Sequence, residues 1–224
     1  YHTHADYNYW KENYALPHKV NHKIISFLSK EQYKKHFHGA EMVNEPWASP
    51  RSWTRLGNIL SPLEEVAGKT LSNKDLIYYA QSHVGREAAA DFATYYSIYS
   101  KVEVDKVFAG QKKIVIPDNQ GDMYVYIMAS INEFFDRYVK ENDKKSNSSK
   151  SLNEKDRVLN VLGDIFVGIS DQSGGAEISV AGMKEFITIE NALKFKVIYH
   201  KLLELLEKKN PKVYNRINKG IMNV

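Results

Sequence analysis

Apolar residues return every three or four positions along most of the chain, and almost nowhere do they alternate with polar ones. Between residues 119 and 140, Tyr124, Ile127, Met128, Ile131, Phe134, Phe135 and Tyr138 recur at three-and-four spacing. That spacing predicts one helix with a single apolar face. From Glu190 to Lys208 a second helix is predicted, with Phe195, Ile198, Leu202, Leu205 and Leu206 on one stripe and Lys194, Lys201, Glu204 and Lys208 facing water. Val158, Val161, Leu162, Ile165 and Phe166 mark a third. Shorter helices are expected around 5–15, 18–28, 50–66, 72–82, 85–99 and 101–108, punctuated by Pro17, Gly39, Gly68 and Gly110. The best strand candidate, KKIVIPD at 112–118, is short and ends in Pro117, which favours an extended connector. The fold class expected is therefore all-α, a helical bundle.

Two polar stretches interrupt the pattern. KENDKKSNSSKS at 140–151 is charged and rich in Ser and Asn, and reads as a flexible linker or loop. DQSGGAE at 171–177 reads as a second, shorter loop. The organisation expected is one helical domain over 1–139, the linker at 140–151, and a helical extension over 152–224 packed on the first domain.

The chain of 224 residues is long enough for one large domain or two small ones, and 43% of it is hydrophobic. There is no cysteine, which removes disulfides, thiolate metal sites and cysteine nucleophiles together and makes a cytoplasmic setting the default. No run approaches the roughly 18 apolar residues of a membrane span. The opening YHTHADYNYW has neither a basic start nor an apolar core, so it does not read as a signal peptide, and without an initiator Met a processed chain or fragment is expected. The net charge of +4 and pI near 8.9 are mildly basic. Much of that charge alternates with acids, as in KKHFHGAE and LLELLEKK, which is how solvated helix faces read.

Several motifs invite chemistry and fail on their surroundings. VAGKT at 66–70 ends like a phosphate-binding loop, but Leu63 stands where the first glycine is needed and Glu64 and Glu65 would oppose phosphate. Gly68 is better read as a helix stop. No apolar strand delivers a magnesium-binding acid, because Pro117 interrupts IVIPDN at 114–119. His18 and His22 have the i, i+4 spacing of a zinc peptidase, but the position that must hold the general base is Lys19. His2, His4, His36 and His38 likewise read as surface or packing residues. No nucleophile elbow and no distinguished carboxylate pair is visible.

NEPWASPRSWTRL, residues 44–56, is different. Ser49 is a good N-cap and Pro50 suits the first helical position, so Arg51 falls in the first turn, at the positive end of the helix dipole. A cation there is disfavoured by roughly 0.3–1 kcal/mol. At about 100° per residue, Trp53, Leu56, Leu60 and Leu63 share one face of this helix, while Arg51, Arg55 and Asn58 share the opposite one. Free N–H groups, the dipole and a guanidinium together make an anion site. The plainer alternative is a surface arginine paired with Glu45.

SPRSW opening a helix, preceded by YNYWKENYALPHKVNHKIISFL and followed by HVGREAAADFATYY, resembles the C-terminal lid region of MoxR-like AAA+ ATPases of bacteria and phages. The family's V-G-x-x-x-A-x-x-F helix is matched by Val84, Gly85, Ala89 and Phe92, and KVFAGQKKIVIPDNQGDMYVYI resembles its connector and following helix. The likeness covers residues 7 to about 140. It implies a lid-type helical bundle in which Arg51 is the sensor arginine that reaches ATP, with Arg55 and Asn58 beside it. It further implies ATP and magnesium as cofactors of the intact enzyme, with none expected on this chain alone, and assembly into a homo-oligomeric, usually hexameric, ring that remodels a protein client. The phosphate loop and magnesium-binding acids of the family's core domain would lie upstream of residue 1, so the chain alone is not expected to be catalytic. Two readings of other classes compete: a helical nucleic-acid-binding module using Arg51, Arg55 and the tyrosines, with nucleic acid the less favoured partner, and a structural adaptor bundle.

Overall fold

A computed structural model describes residues 6–37, 46–68, 70–143, 149–195 and 198–222. Its regular structure is helical throughout, and no strand occurs among the described residues. None of those helices is long and apolar enough to cross a membrane. The chain divides into two compact units, one ending at Lys101 and the other beginning at Val102. The division expected at 139 is thus displaced: the long helix assigned by sequence to the first domain packs within the second unit.

The first unit contains α1 (Tyr7–Trp10), continued without a break by a π-helical segment, Lys11–Ala15, and α2 (His22–Ser29). A 3-10 stretch (Glu31–Phe37) leads on to α3 (Pro50–Val66), α4 (Asn73–Val84) and α5 (Arg86–Lys101). Phe27, fully buried, is the hub. The rings of Tyr33, Trp53, Phe92, Tyr95 and His36 surround it at centroid distances of 4.3, 5.5, 5.3, 5.6 and 6.0 Å. Sequence and structure agree on the span of α3 because its signals are local. Ser49 and Ser52 form a reciprocal capping box, Pro50 occupies the first turn, and Gly68, at φ 70°, takes the left-handed conformation that stops the helix. Gly85, at φ 81°, separates α4 from α5. The Val84–Phe92 pattern therefore straddles two helices, with Ala89 and Phe92 buried on the second.

The second unit contains α6 (Val104–Phe108), α7 (Gln120–Asp143), α8 (Ser149–Ser170), α9 (Gly175–Ala192), α10 (Ile198–Lys209) and α11 (Pro211–Met222). Residues 113–117 carry no regular secondary structure and form no strand. The linker expected at 140–151 is largely taken up by helix, α7 running to Asp143 and α8 starting at Ser149; residues 144–148 lie outside the described residues.

The helix expected across 190–208 is broken. α9 ends at Ala192, and Lys194, at φ 57°, turns the chain before α10 begins. Across the break the buried Glu190 carboxylate accepts from the backbone N–H groups of Ile198 at 2.7 Å and Tyr199 at 3.2 Å. A side chain from the preceding helix thus caps the next one. Removing it orphans two N–H groups at the start of α10. Glu190→Ala is expected to cost about 2 kcal/mol, read as a lower urea midpoint and faster amide exchange in α10. Glu190→Gln keeps an acceptor oxygen and retains most of the stability; equal losses in the two variants would show that the cap is not what holds the turn.

Candidate functional site

α3 resolves the conflict at Arg51. Trp53, Leu56 and Leu60 are fully buried, whereas Arg51, Arg55 and Asn58 are exposed on the opposite face, as the helical wheel requires. Leu63 is only half-buried, so the apolar stripe fades in the last turns. Trp53 fixes the rotation of the helix, because its indole N–H donates to the carbonyl oxygen of His36 at 2.8 Å.

The arginines border a groove of about 420 Å³ lined by Trp10, Tyr14, Pro50, Arg51, Thr54, Arg55 and Asn58, a size within the range of small-molecule sites. The facing wall comes from α1 and its π-helical continuation. Trp10 and Tyr14, four residues apart, turn their rings toward α3, and the Trp10 indole donates to Thr54 Oγ1 at 3.2 Å. Thr54 Oγ1 in turn donates to the Pro50 carbonyl at 2.8 Å. Tyr14 is 43% exposed and stacks on His18 with centroids 4.2 Å apart. Trp10, Tyr14 and Thr54 were not identified from sequence as site residues. The i, i+4 aromatic pair was a usable signal, but which helix it faces is a tertiary fact.

No carboxylate of the described residues lines this groove. Neither Arg51 nor Arg55 has a hydrogen-bond or ion-pair partner among the described residues; Glu45, the alternative partner for Arg51, lies outside them. The helix terminus itself offers less than expected. Pro50 has no N–H, that of Ser52 is taken by Ser49 Oγ at 3.2 Å, and that of Trp53 by the Ser49 carbonyl at 2.9 Å. Only the Arg51 N–H is left among these, so the donors this face presents are chiefly the two guanidinium groups and the Asn58 amide.

Other ionisable clusters in this unit pair opposite charges within themselves. Glu64, which would have faced phosphate in the false phosphate loop, is ion-paired with Lys23 and accepts from Asn21 Nδ2 at 3.0 Å, tying α2 to α3. His36 Nε2 lies 2.7 Å from Asp91 Oδ2, and ligand atoms of His36, Glu87 and Asp91 fall within 4.8 Å of one another. The Lys35 ammonium, 2.7 Å from Glu87 and 3.9 Å from Asp91, is the cation of that group, which reads as an ion-pair cluster. His18 bonds the Tyr14 carbonyl at 2.8 Å. His2, His4 and His38 lie outside the described residues.

No family model, curated protein or solved structure matches this chain.

His22 supplies a pH signature for the fold. It is half-buried with its ring 5.7 Å from that of Tyr99. Desolvation, then the adjacent Lys23 charge, against an opposing pull from Glu64, lowers its pKa from 6.5 to about 4. The unfolded chain therefore binds a proton that the folded one refuses. Its contribution to stability is complete above pH 6.5 and falls as pH drops toward 4. His22→Phe is expected to make the pH dependence of unfolding free energy shallower across that window, and identical slopes in the two proteins would contradict this.

Proposed function

We propose that this chain is a nucleotide-sensing helical lid of the MoxR-like AAA+ type and that the arginine face of α3 is its phosphate-recognition surface. One observation carries the reading: two exposed guanidinium groups without partners among the described residues, one of them in the first turn of a capped helix, border a groove that no carboxylate of the described residues lines. A dianionic or trianionic oxygen cluster placed there turns the unfavourable dipole position of Arg51 into a favourable one and satisfies the fork geometry of both guanidinium groups.

In this reading a separate core domain holds the nucleotide and positions the attacking water. Among the described residues no acid lines the groove, and in this reading magnesium is held by that core. Arg51 contributes charge at the transferring phosphoryl group, where arginines stabilise the transition state. Arg55, one turn further along, and the Asn58 amide orient the same anion. Loss of the terminal phosphate releases Arg51 and lets the lid rotate, which couples hydrolysis to movement in a ring of subunits acting on a protein client.

The test uses the protein that carries both core and lid. Its reading frame upstream of Tyr1 should encode a phosphate loop followed by an acidic magnesium motif. Arg51→Ala should unfold within about 0.5 kcal/mol of wild type, being an exposed first-turn substitution, yet lower ATP turnover by about one to three orders of magnitude. Arg55→Ala should cost less. Unchanged turnover in Arg51→Ala would remove the sensor role, and a larger loss at Arg55 would transfer it one turn along α3.

A further inference from the structure

The positive charge of this chain is concentrated at one end. Residues 208–224 contain Lys208, Lys209, Lys212, Arg216 and Lys219 and no acid. Those five charges exceed the net charge of +4, so the rest of the chain is formally acidic by one. α10 still interleaves its signs in the ordinary way, with Lys201, Glu204 and Glu207 exposed. Beyond Glu207 the mixing stops.

The structure gathers these cations around one corner. Only Asn210 separates α10 from α11, and its side chain caps the second helix, accepting from Lys212 N at 3.2 Å and Val213 N at 3.3 Å. Val213 and Ile217 are fully buried, and α11 packs on α9 so closely that a Cβ on Gly220 would lie 2.6 Å from Val180 Cγ2. Lys212, Arg216 and Lys219, at i, i+4 and i+7, therefore share an exposed face. Arg216 also donates to the Ser170 carbonyl at 3.2 Å, and Lys209 is paired with Asp164 at 2.7 Å. The side chains of Lys208, Lys212 and Lys219 have no partner among the described residues.

We propose that this corner and the Lys212–Lys219 face of α11 bind the phosphate backbone of nucleic acid without reading its sequence. A same-sign ridge repels itself, and a polyanion removes that cost while releasing the counterions condensed on the phosphates. At 1.5 Å per residue the ridge runs about 10 Å, a length over which one strand of a duplex, rising about 3.4 Å per nucleotide, presents about three phosphates. Exposed Asn215 adds an amide donor beside the ridge. An anionic membrane fits less well, because interfacial helices insert an apolar face and that of α11 is already buried in its own unit. The proposal stands apart from the role assigned to α3.

The experiment is fluorescence anisotropy of a labelled 20-base-pair DNA duplex of arbitrary sequence, titrated with the full chain at several KCl concentrations. Binding should be independent of sequence, and log K should fall with log salt at a slope near −3, about −0.9 per phosphate neutralised. Lys208→Gln/Lys212→Gln/Lys219→Gln changes only exposed side chains without partners among the described residues and should melt as wild type does. It should lose at least about tenfold in affinity at low salt and most of the salt slope. Arg51→Gln/Arg55→Gln should bind DNA as wild type does, whatever its effect on nucleotide. The proposal is overturned by absence of salt-dependent DNA binding, by a triple variant that binds normally, or by loss confined to the α3 variant. Binding to phosphatidylcholine vesicles containing phosphatidylserine, with none to DNA, would overturn it in favour of a membrane face.

Discussion

Burial of one indole sets the geometry of the first unit. Trp53 is the largest fully buried side chain, and its N–H must find an acceptor inside the core or lose its solvation uncompensated. The acceptor is the His36 carbonyl. That bond, with the ring contacts to Phe27 and Phe92, admits one rotation of α3 about its axis. Once that rotation is fixed, the 3.6-residue period places Arg51, Arg55 and Asn58 outward without further help. The Ser49–Ser52 capping box adds a second constraint by fixing where the helix begins, and so decides that Arg51 lies in the first turn and Arg55 one turn later.

The second unit has no comparable single anchor. α9 packs against α7, α8, α10 and α11, and its buried positions include Ile178, Gly182, Met183, Phe186 and Ile189. Its Gly182 lets Ile127 approach so closely that a Cβ would lie 2.7 Å from Ile127 Cγ1. Buried Glu190 closes the same helix and starts the next. With the apolar stripe of α11 spent on α9, the cations of α11 are left to solvent. Charge segregation at that end follows from packing as much as from composition.

What was legible in the sequence follows the same physics. α3, α4 and α5 carry their own start and stop signals, Ser49–Pro50, Ser72, Gly68 and Gly85, and were placed to within a few residues. The arginine face was legible because a period and a tryptophan are local facts. α9 was not, because a helix packed by neighbours on several sides shows no polar stripe; its AEISVAGMKEF start lay hidden behind the DQSGG turn. The break before α10 was equally invisible, since its cap reaches in from eight residues back. The aromatic wall of the groove and the division after Lys101 depend on which helices meet, and one chain's periodicity does not encode that.

The central claim is that the α3 groove is an anion site. Its most direct test is a nuclear magnetic resonance titration of the chain with ATP in the millimolar range, following arginine Nε–H and tryptophan indole signals. The account predicts that Arg51, Arg55 and the Trp10 indole shift together and saturate, while the buried Trp53 indole stays in place as an internal reference. Arginine signals that do not move, or shifts confined to α11, would contradict it.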